Sequence, residues 1–315
     1  MERSPLIRVR FSMPAHALDR YAKGEFMESP PVVLGNLLIW LAVYPNGSWN
    51  AFEGYVSVYL CFWPIDEALA GDWSLTGLPI SIRAMCDEPY VVQEWNGIHA
   101  RVSKQNYYCG SCELVEHGDI PPGSCLNFLG EVDCEYSLLT SMILRPCGRS
   151  MWLQKKFTDL VVGVGDDGQE IPVHRAVLAA NSKVFERMLE SEMKESSERR
   201  VVLRGVSAKA ARAFLEFLYT GALPNEDFEA SNVASGRISY LSDLMYLAEQ
   251  YEAPNLTTIC ASQLARLLCK ENVAEIFRLL RQYKTHHSSV NRIFEQQVRN
   301  MRAYDELLLN LVETF

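Results

Sequence analysis

Three stretches hold residue types that do chemistry. Asp159 and the His174-Arg175 pair offer an acid, a proton carrier and a fixed cation. No placed nucleophile or third group accompanies them, and both lie at strand ends entering a core, so His174 reads as a satisfied, partly buried histidine. Cys109-Gly110-Ser111-Cys112, with His117, Cys125 and Cys134 nearby, has zinc-ligand types, and a Cys-x-x-Cys also serves redox chemistry. A redox pair needs a helix N-terminus in a βαβ frame, which GSCELVEHGDIPPG does not offer. The stretch reads first as two free cysteines in a β-rich loop and second as a zinc site. We expect no metal, no cofactor and no catalytic residue. The third stretch, ESEMKESSER (190–199), places Met193 among charges. Taken alone it is a surface methionine, which needs no explanation.

The elements that must position these residues come in two kinds. At 315 residues the chain has room for two domains and a small helical element. A net charge of −9 leaves no wide electropositive footprint for nucleic acid. Nothing resembles an apolar signal segment in MERSPLIRVRFSM, and no apolar run reaches the length of about 18 residues that a membrane helix needs. Nine cysteines, an odd set scattered through both halves, fit reduced thiols in the nucleus or cytoplasm, not a secreted protein.

The first part reads as all-β. LLIWLAVYPNGSW (37–49) is a strand running into a Pro-Asn-Gly turn, a short hairpin signal. YVSVYL (55–60) alternates, with Val56, Val58 and Leu60 on one face and Tyr55, Ser57 and Tyr59 on the other. Further strands are expected at 78–84, 125–132 and 136–144, which together predict an antiparallel sandwich ending near Arg145-Pro146-Cys147-Gly148. The second part changes period. Residues 159–174 read as two strands around Asp-Asp-Gly, and 175–191 as two helices broken at Asn181-Ser182. A strand at 199–205, a helix at 207–221 from a Ser cap to Gly, and helices at 240–252, 255–268, 271–283, 289–301 and 304–314 follow. The order is that of an α+β domain with a helical extension.

Several of these stretches together resemble the BTB/POZ domain over roughly 155–268. The motifs are Phe157-Thr158-Asp159, Pro172-x-His174-Arg175-x-x-Leu178-Ala179, Ser182-x-x-Phe185 and Phe217-x-Tyr219-Thr220-Gly221, in that order. The preceding β-rich part, with LLIWLAVYPNGSW and GYVSVYLCF, is similar to a MATH domain. The whole resembles a MATH–BTB protein of the speckle-type POZ kind. Residues 1–147 would be the MATH-like, TRAF-like sandwich, 150–268 the BTB/POZ domain, and 269–315 a helical 3-box or BACK-like extension packed beside the BTB domain.

That resemblance implies a non-catalytic subunit of a cullin-3 RING E3 ubiquitin ligase. The MATH domain would bind a short linear motif of a substrate, and the BTB domain would form a homodimer and dock cullin-3, leading to protein ubiquitination and proteasomal degradation. The alternative is a BTB-mediated oligomeric scaffold or transcriptional co-regulator without cullin binding. The resemblance also assigns residues. Met193-x-Glu195 matches a cullin-docking motif, with Phe185, Met188 and Tyr219 beside it; a flexible thioether suits an apolar pocket. Tyr55, Tyr59, Tyr108 and Trp95 would line the substrate groove, aromatics burying large area at low entropy cost. Met151, Trp152, Asp159 and Arg175 would stand at the dimer interface. Two departures point away from the family's usual Ser/Thr-rich peptide: Ile80 and Ile82 stand where an aromatic is typical, and Tyr108-Cys109-Gly110 replaces a Trp-Gly-Phe-like stretch.

Overall fold

The computed structural model describes residues 6–34, 37–65, 74–86, 91–103, 105–133, 146–164, 169–190, 199–224 and 234–301. The chain divides into two compact units, Met1–Thr140 with Leu268–Phe315, and Ser141–Leu267.

The first unit is built on two antiparallel sheets. One has the order β1 (Leu6–Pro14), β9 (Cys125–Asp133), β6 (Ser74–Cys86), β7 (Val91–Ser103). The other runs β2 (Met27–Glu28), β4 (Leu37–Tyr44), β5 (Tyr55–Pro64), β8 (Tyr108–Glu116), with β3 (Val32–Leu34) also on β4. Register assigns the faces. Val43 pairs Val58, Leu41 pairs Leu60 and Ile39 pairs Phe62, all buried between the sheets. Gly130 of β9 packs there against Leu60 and Leu41, where an added Cβ would lie 2.8 Å from Leu60. The Pro-Asn-Gly turn is real but longer than the expected tight hairpin. Gly47 N–H donates to Tyr44 O at 3.1 Å. The Asn46 amide then donates to Leu18 O and Tyr21 O, at 2.6 and 2.5 Å, and fixes the longer loop.

The opposite face of the second sheet carries Leu38, Trp40, Ala42 and Tyr44 against Trp63, Cys61, Tyr59 and Ser57. Most of these are buried too, because a further layer covers them. Helix α7 (Val273–Tyr283) packs on α8 (Ser288–Asn300), and α8 meets β2. The helices expected in a 269–315 extension of the BTB domain thus group with the compact unit of the sandwich. Glu28 is the anchor. Its carboxylate accepts from the Trp40 indole at 2.7 Å and pairs with Arg299. Its backbone N–H and C=O meet the two ends of the Asn300 amide, at 2.9 and 2.5 Å. Asn300 therefore acts as a strand neighbour would, satisfying backbone groups that burial forbids leaving bare.

In the second unit β10 (Leu160–Val164) pairs β11 (Gln169–Val173) antiparallel and β12 (Arg200–Leu203) parallel. Helix α1 (Pro146–Gln154) begins at the boundary expected near Arg145-Pro146-Cys147-Gly148. Ser182 separates α2 (Arg175–Asn181) from α3 (Lys183–Glu190), its hydroxyl accepting from Phe185 N–H at 3.2 Å. Ser207 caps α4 (Ala208–Thr220), and Gly221 closes it in the left-handed region at φ 72°. Helices α5 (Ala234–Gln250) and α6 (Pro254–Arg266) complete the layer. The expected strand at 136–144 and helix at 304–314 lie outside the described residues.

Replacing Asn300 by Ala strands the Glu28 backbone pair, so thermal melting should show a loss of about 1–3 kcal/mol per unpaired group. The exposed-side change Asn291→Ala, which loses only the 3.0 Å contact with Glu295, should stay within about 0.5 kcal/mol.

Candidate functional site

On the outer face of the second sheet the aromatic rings form an unbroken arc. Ring centroids lie 5.2 Å apart for Phe26–Tyr44, 5.8 Å for Tyr44–Tyr59, 5.3 Å for Tyr59–Tyr108, 5.5 Å for Tyr107–Tyr108 and 5.4 Å for Trp63–Tyr107. Four of these contacts meet edge to face, the geometry that aligns ring edges with ring faces. Both ends of the arc reach α8. The Arg299 guanidinium lies 5.3 Å from Phe26, and Arg292 lies 4.0 Å from Trp40 and 5.5 Å from Trp63. The Tyr59 hydroxyl shares a 3.0 Å hydrogen bond with Ser48, and burial raises its pKa, so it works as a neutral phenol. Burial raises Tyr107 as well, while the Arg292 charge acts in the opposite sense. A cavity of about 170 Å³ opens where Leu38, Trp63 and Ile65 face Ser288, Arg292 and Glu295.

The groove residues expected from sequence divide here. Tyr59 and Tyr108 meet in the arc, and Tyr108 keeps 44% of its surface exposed. Tyr55 lies farther along β5, opposite Glu116. Trp95 does not join them: it sits on β7 of the other sheet, opposite Ile82 and folded over Gly97. Ile80 and Ile82 are core, which accounts for an aromatic being absent there. Gly110 has a physical reason of its own. An added Cβ would lie 2.1 Å from Val58 O, so no side chain fits between β8 and β5. Tyr107, a groove candidate from sequence, joins the arc, whereas Tyr44 and Trp63 escaped the sequence reading, although outward alternation from Tyr59 to Trp63 on β5 marks the same face.

Cys109 and Cys112 sit within β8, not in a loop. The Cys109 thiol points to Leu60 O at 3.8 Å, and burial pushes it up to about 12, away from thiolate chemistry. Among the described residues no group of His, Cys, Asp and Glu stands close enough to hold a metal.

In the second unit the expected cullin-facing residues separate. Phe185 is 0% exposed, stacked on Tyr251 at 4.5 Å with Phe214 behind, and Tyr219 is 1% exposed. Both are corrected to core residues, since a side chain without exposed surface meets no partner. Tyr219 Oη accepts from the His174 N–H at 2.7 Å and meets its Nδ1 at 2.9 Å, while Nε2 lies 2.6 Å from Lys156 O. His174 is thus the satisfied histidine the sequence reading expected. Met188 is half-buried on α3. Met193 and Glu195 lie outside the described residues.

The residues assigned to a dimer interface also separate. Trp152 is corrected to a buried residue, 4% exposed, its ring on Tyr219 at 5.3 Å. Asp159 accepts the N–H of Arg175 at 2.8 Å, capping α2 from a neighbouring strand, and Arg175 donates to Leu189 O at 2.6 Å. Met151 stays exposed, joined by Leu153 and by Phe157, which is 94% exposed. Lys155 is the unusual cation. Its ammonium lies 3.0 Å from the Trp152 ring centre without a hydrogen-bond partner, and burial, helped by Arg212, lowers its pKa to about 8.

Fold and site together define a protein-interaction module: an antiparallel sheet domain with an aromatic face, followed by an α+β domain. Residues 149–268 match the family model of the BTB/POZ domain. The chain is also 30% identical over 171 residues to BTB and MATH domain-containing protein 42 of Caenorhabditis elegans, over 52% of this chain and 38% of that protein. The match thus spans well under half the length of that relative. Among solved structures the BTB domain of zebrafish PATZ1 shares 24% identity over 38% of this chain and 85% of that chain, at a TM-score of 0.28. Residues 149–268 are thus similar to the BTB/POZ domain, and part of the chain is similar to a protein that carries BTB and MATH domains.

Two outcomes follow. Gly110→Ala should destabilise the sandwich by several kcal/mol in chemical denaturation, because the obstacle is backbone and cannot rotate away. Lys155 keeps its charge in the unfolded chain up to its ordinary pKa but loses it near 8 when folded. The wild type should therefore gain stability relative to Lys155→Met as pH rises from about 8 towards 10, and show no differential trend below that window.

Proposed function

We propose that the chain is the substrate-recognition adaptor of a cullin-3 RING E3 ubiquitin ligase. The observation that carries this reading is the domain order, a BTB/POZ domain at 149–268 behind a sandwich with an aromatic outer face. The sandwich binds a short extended segment of a substrate along the Tyr59–Tyr108 surface. Among the described residues β8 ends its sheet, and a strand edge beside a row of rings suits an added peptide strand. The BTB domain docks cullin-3 through Met193-Lys194-Glu195, which follows α3 directly in the sequence. Its homodimer uses the apolar surface of Met151, Leu153 and Phe157, with Phe157 the most exposed. Nothing in this role needs a catalytic group: the adaptor holds substrate near a ubiquitin-loaded enzyme, and the dimer adds avidity. It acts in the nucleus or cytoplasm, where such thiols stay reduced.

One observation favours the second reading, an oligomeric scaffold that never meets a cullin. The helices 273–300, expected to widen the cullin surface, group with the sandwich. Binding to the purified N-terminal domain of cullin-3 decides between the two. The expected result is sub-micromolar affinity, roughly 8 kcal/mol or more, abolished by Met193→Asp with melting unchanged. A wild type that fails to bind cullin-3 leaves the scaffold as the account.

A further inference from the structure

The aromatic arc is bracketed by two arginines of one helix that differ in circumstance. Arg299 is neutralised by Glu28, the carboxylate buried beneath it. Arg292, two helical turns earlier, has no carboxylate partner among the described residues; its contacts are the faces of Trp40 and Trp63. Its charge reaches the phenol of Tyr107, the next ring of the arc after Trp63. It also lines the cavity beside Leu38, Trp63 and Ile65. The nearby carboxylate of Glu295 is engaged by the Asn291 amide at 3.0 Å and does not pair with Arg292.

We infer that Arg292 is a specificity-determining residue, and that the aromatic face selects an extended peptide carrying an anionic side chain, carboxylate or phosphate. This rests on the reading of that face as the substrate surface. The physics has three parts. A guanidinium held 4.0 Å from the centre of an indole ring loses little further rotamer freedom on binding. Half-burial weakens solvent screening, so an incoming anion gains more than it would at a free surface. The rings from Trp63 to Tyr59 supply the apolar, low-entropy contact along which the rest of the peptide lies. Charge complementarity therefore names the occupant: the face offers a cation that no carboxylate pairs with among the described residues, on a chain whose net charge is −9.

The test uses the full chain and an array of short extended peptides in which each position in turn is fixed as Glu, phosphoserine, Gln or Lys. At one position Glu or phosphoserine should outbind Gln by roughly tenfold, the worth of one charge-assisted hydrogen bond. Preference for both identifies any anion as sufficient, and preference for phosphoserine alone identifies a phosphorylated substrate. Arg292→Gln should flatten the preference and Arg292→Glu should turn it towards Lys. Arg292→Lys, which keeps the charge above Trp40, should retain its sign. The proposal is overturned if peptides bind with no anion preference, or if the preference survives Arg292→Gln or disappears in a fully folded Arg292→Lys. The substrate-surface reading fails separately, and takes the proposal with it, if the wild type retains no peptide or if Tyr59→Ala leaves retention unchanged.

Discussion

A single buried carboxylate holds the first unit together. Glu28 is 4% exposed, and a charge in that position is tolerated only where it is paired and hydrogen-bonded. Its partners come from two elements: the indole of Trp40 on β4, and, on α8, the guanidinium of Arg299 and the amide of Asn300, which pairs with its backbone. The Tyr21 hydroxyl adds a 2.9 Å bond to Arg299 O. Each partner alone would leave the charge costly. Together they determine where the last described helix lies and thus which half of the outer face is covered and which is open.

This anchoring gives the second sheet two different uses of one chemistry. Its inner face is apolar and sealed, as in any sandwich. Its outer face begins as core under α8, with Leu38, Trp40 and Cys61, and grades into the partly open rings of Tyr59, Tyr107 and Tyr108. The aromatic rings are thereby held by packing at one end and partly exposed at the other. A rigid ring loses little entropy on binding, and a ring already packed against its neighbours loses less.

Much of this was legible from residue order. Alternation in YVSVYL assigned the faces of β5 correctly, Ser182 and Ser207 marked helix starts, and Gly221 marked an end. The BTB motifs identified a domain whose family match covers nearly the same span. What escaped was destination. An amphipathic pattern at 289–301 reveals a buried face but not what buries it. Polar residues on that face, Gln296 at 1% exposure without a hydrogen-bond partner and Asn300 pairing with a backbone, run against the pattern itself. One signal was present and went unread: LLIWLAVY does not alternate, as befits a strand covered on both sides. Phe185 and Tyr219 failed as surface residues for the opposite reason, since a motif records that a residue is required without recording whether it faces a partner or the core.

The return of α7 and α8 to the sandwich makes the BTB/POZ domain an insertion within another domain. During synthesis the strands up to β9 emerge long before the helices that cover Trp40 and satisfy Glu28. Domains ordinarily fold in the order they leave the ribosome. Here the first to appear is the last to be finished, waiting with an apolar sheet face open while the inserted domain folds. That interval is when the nascent chain is most exposed to chaperones and to aggregation through its aromatic face.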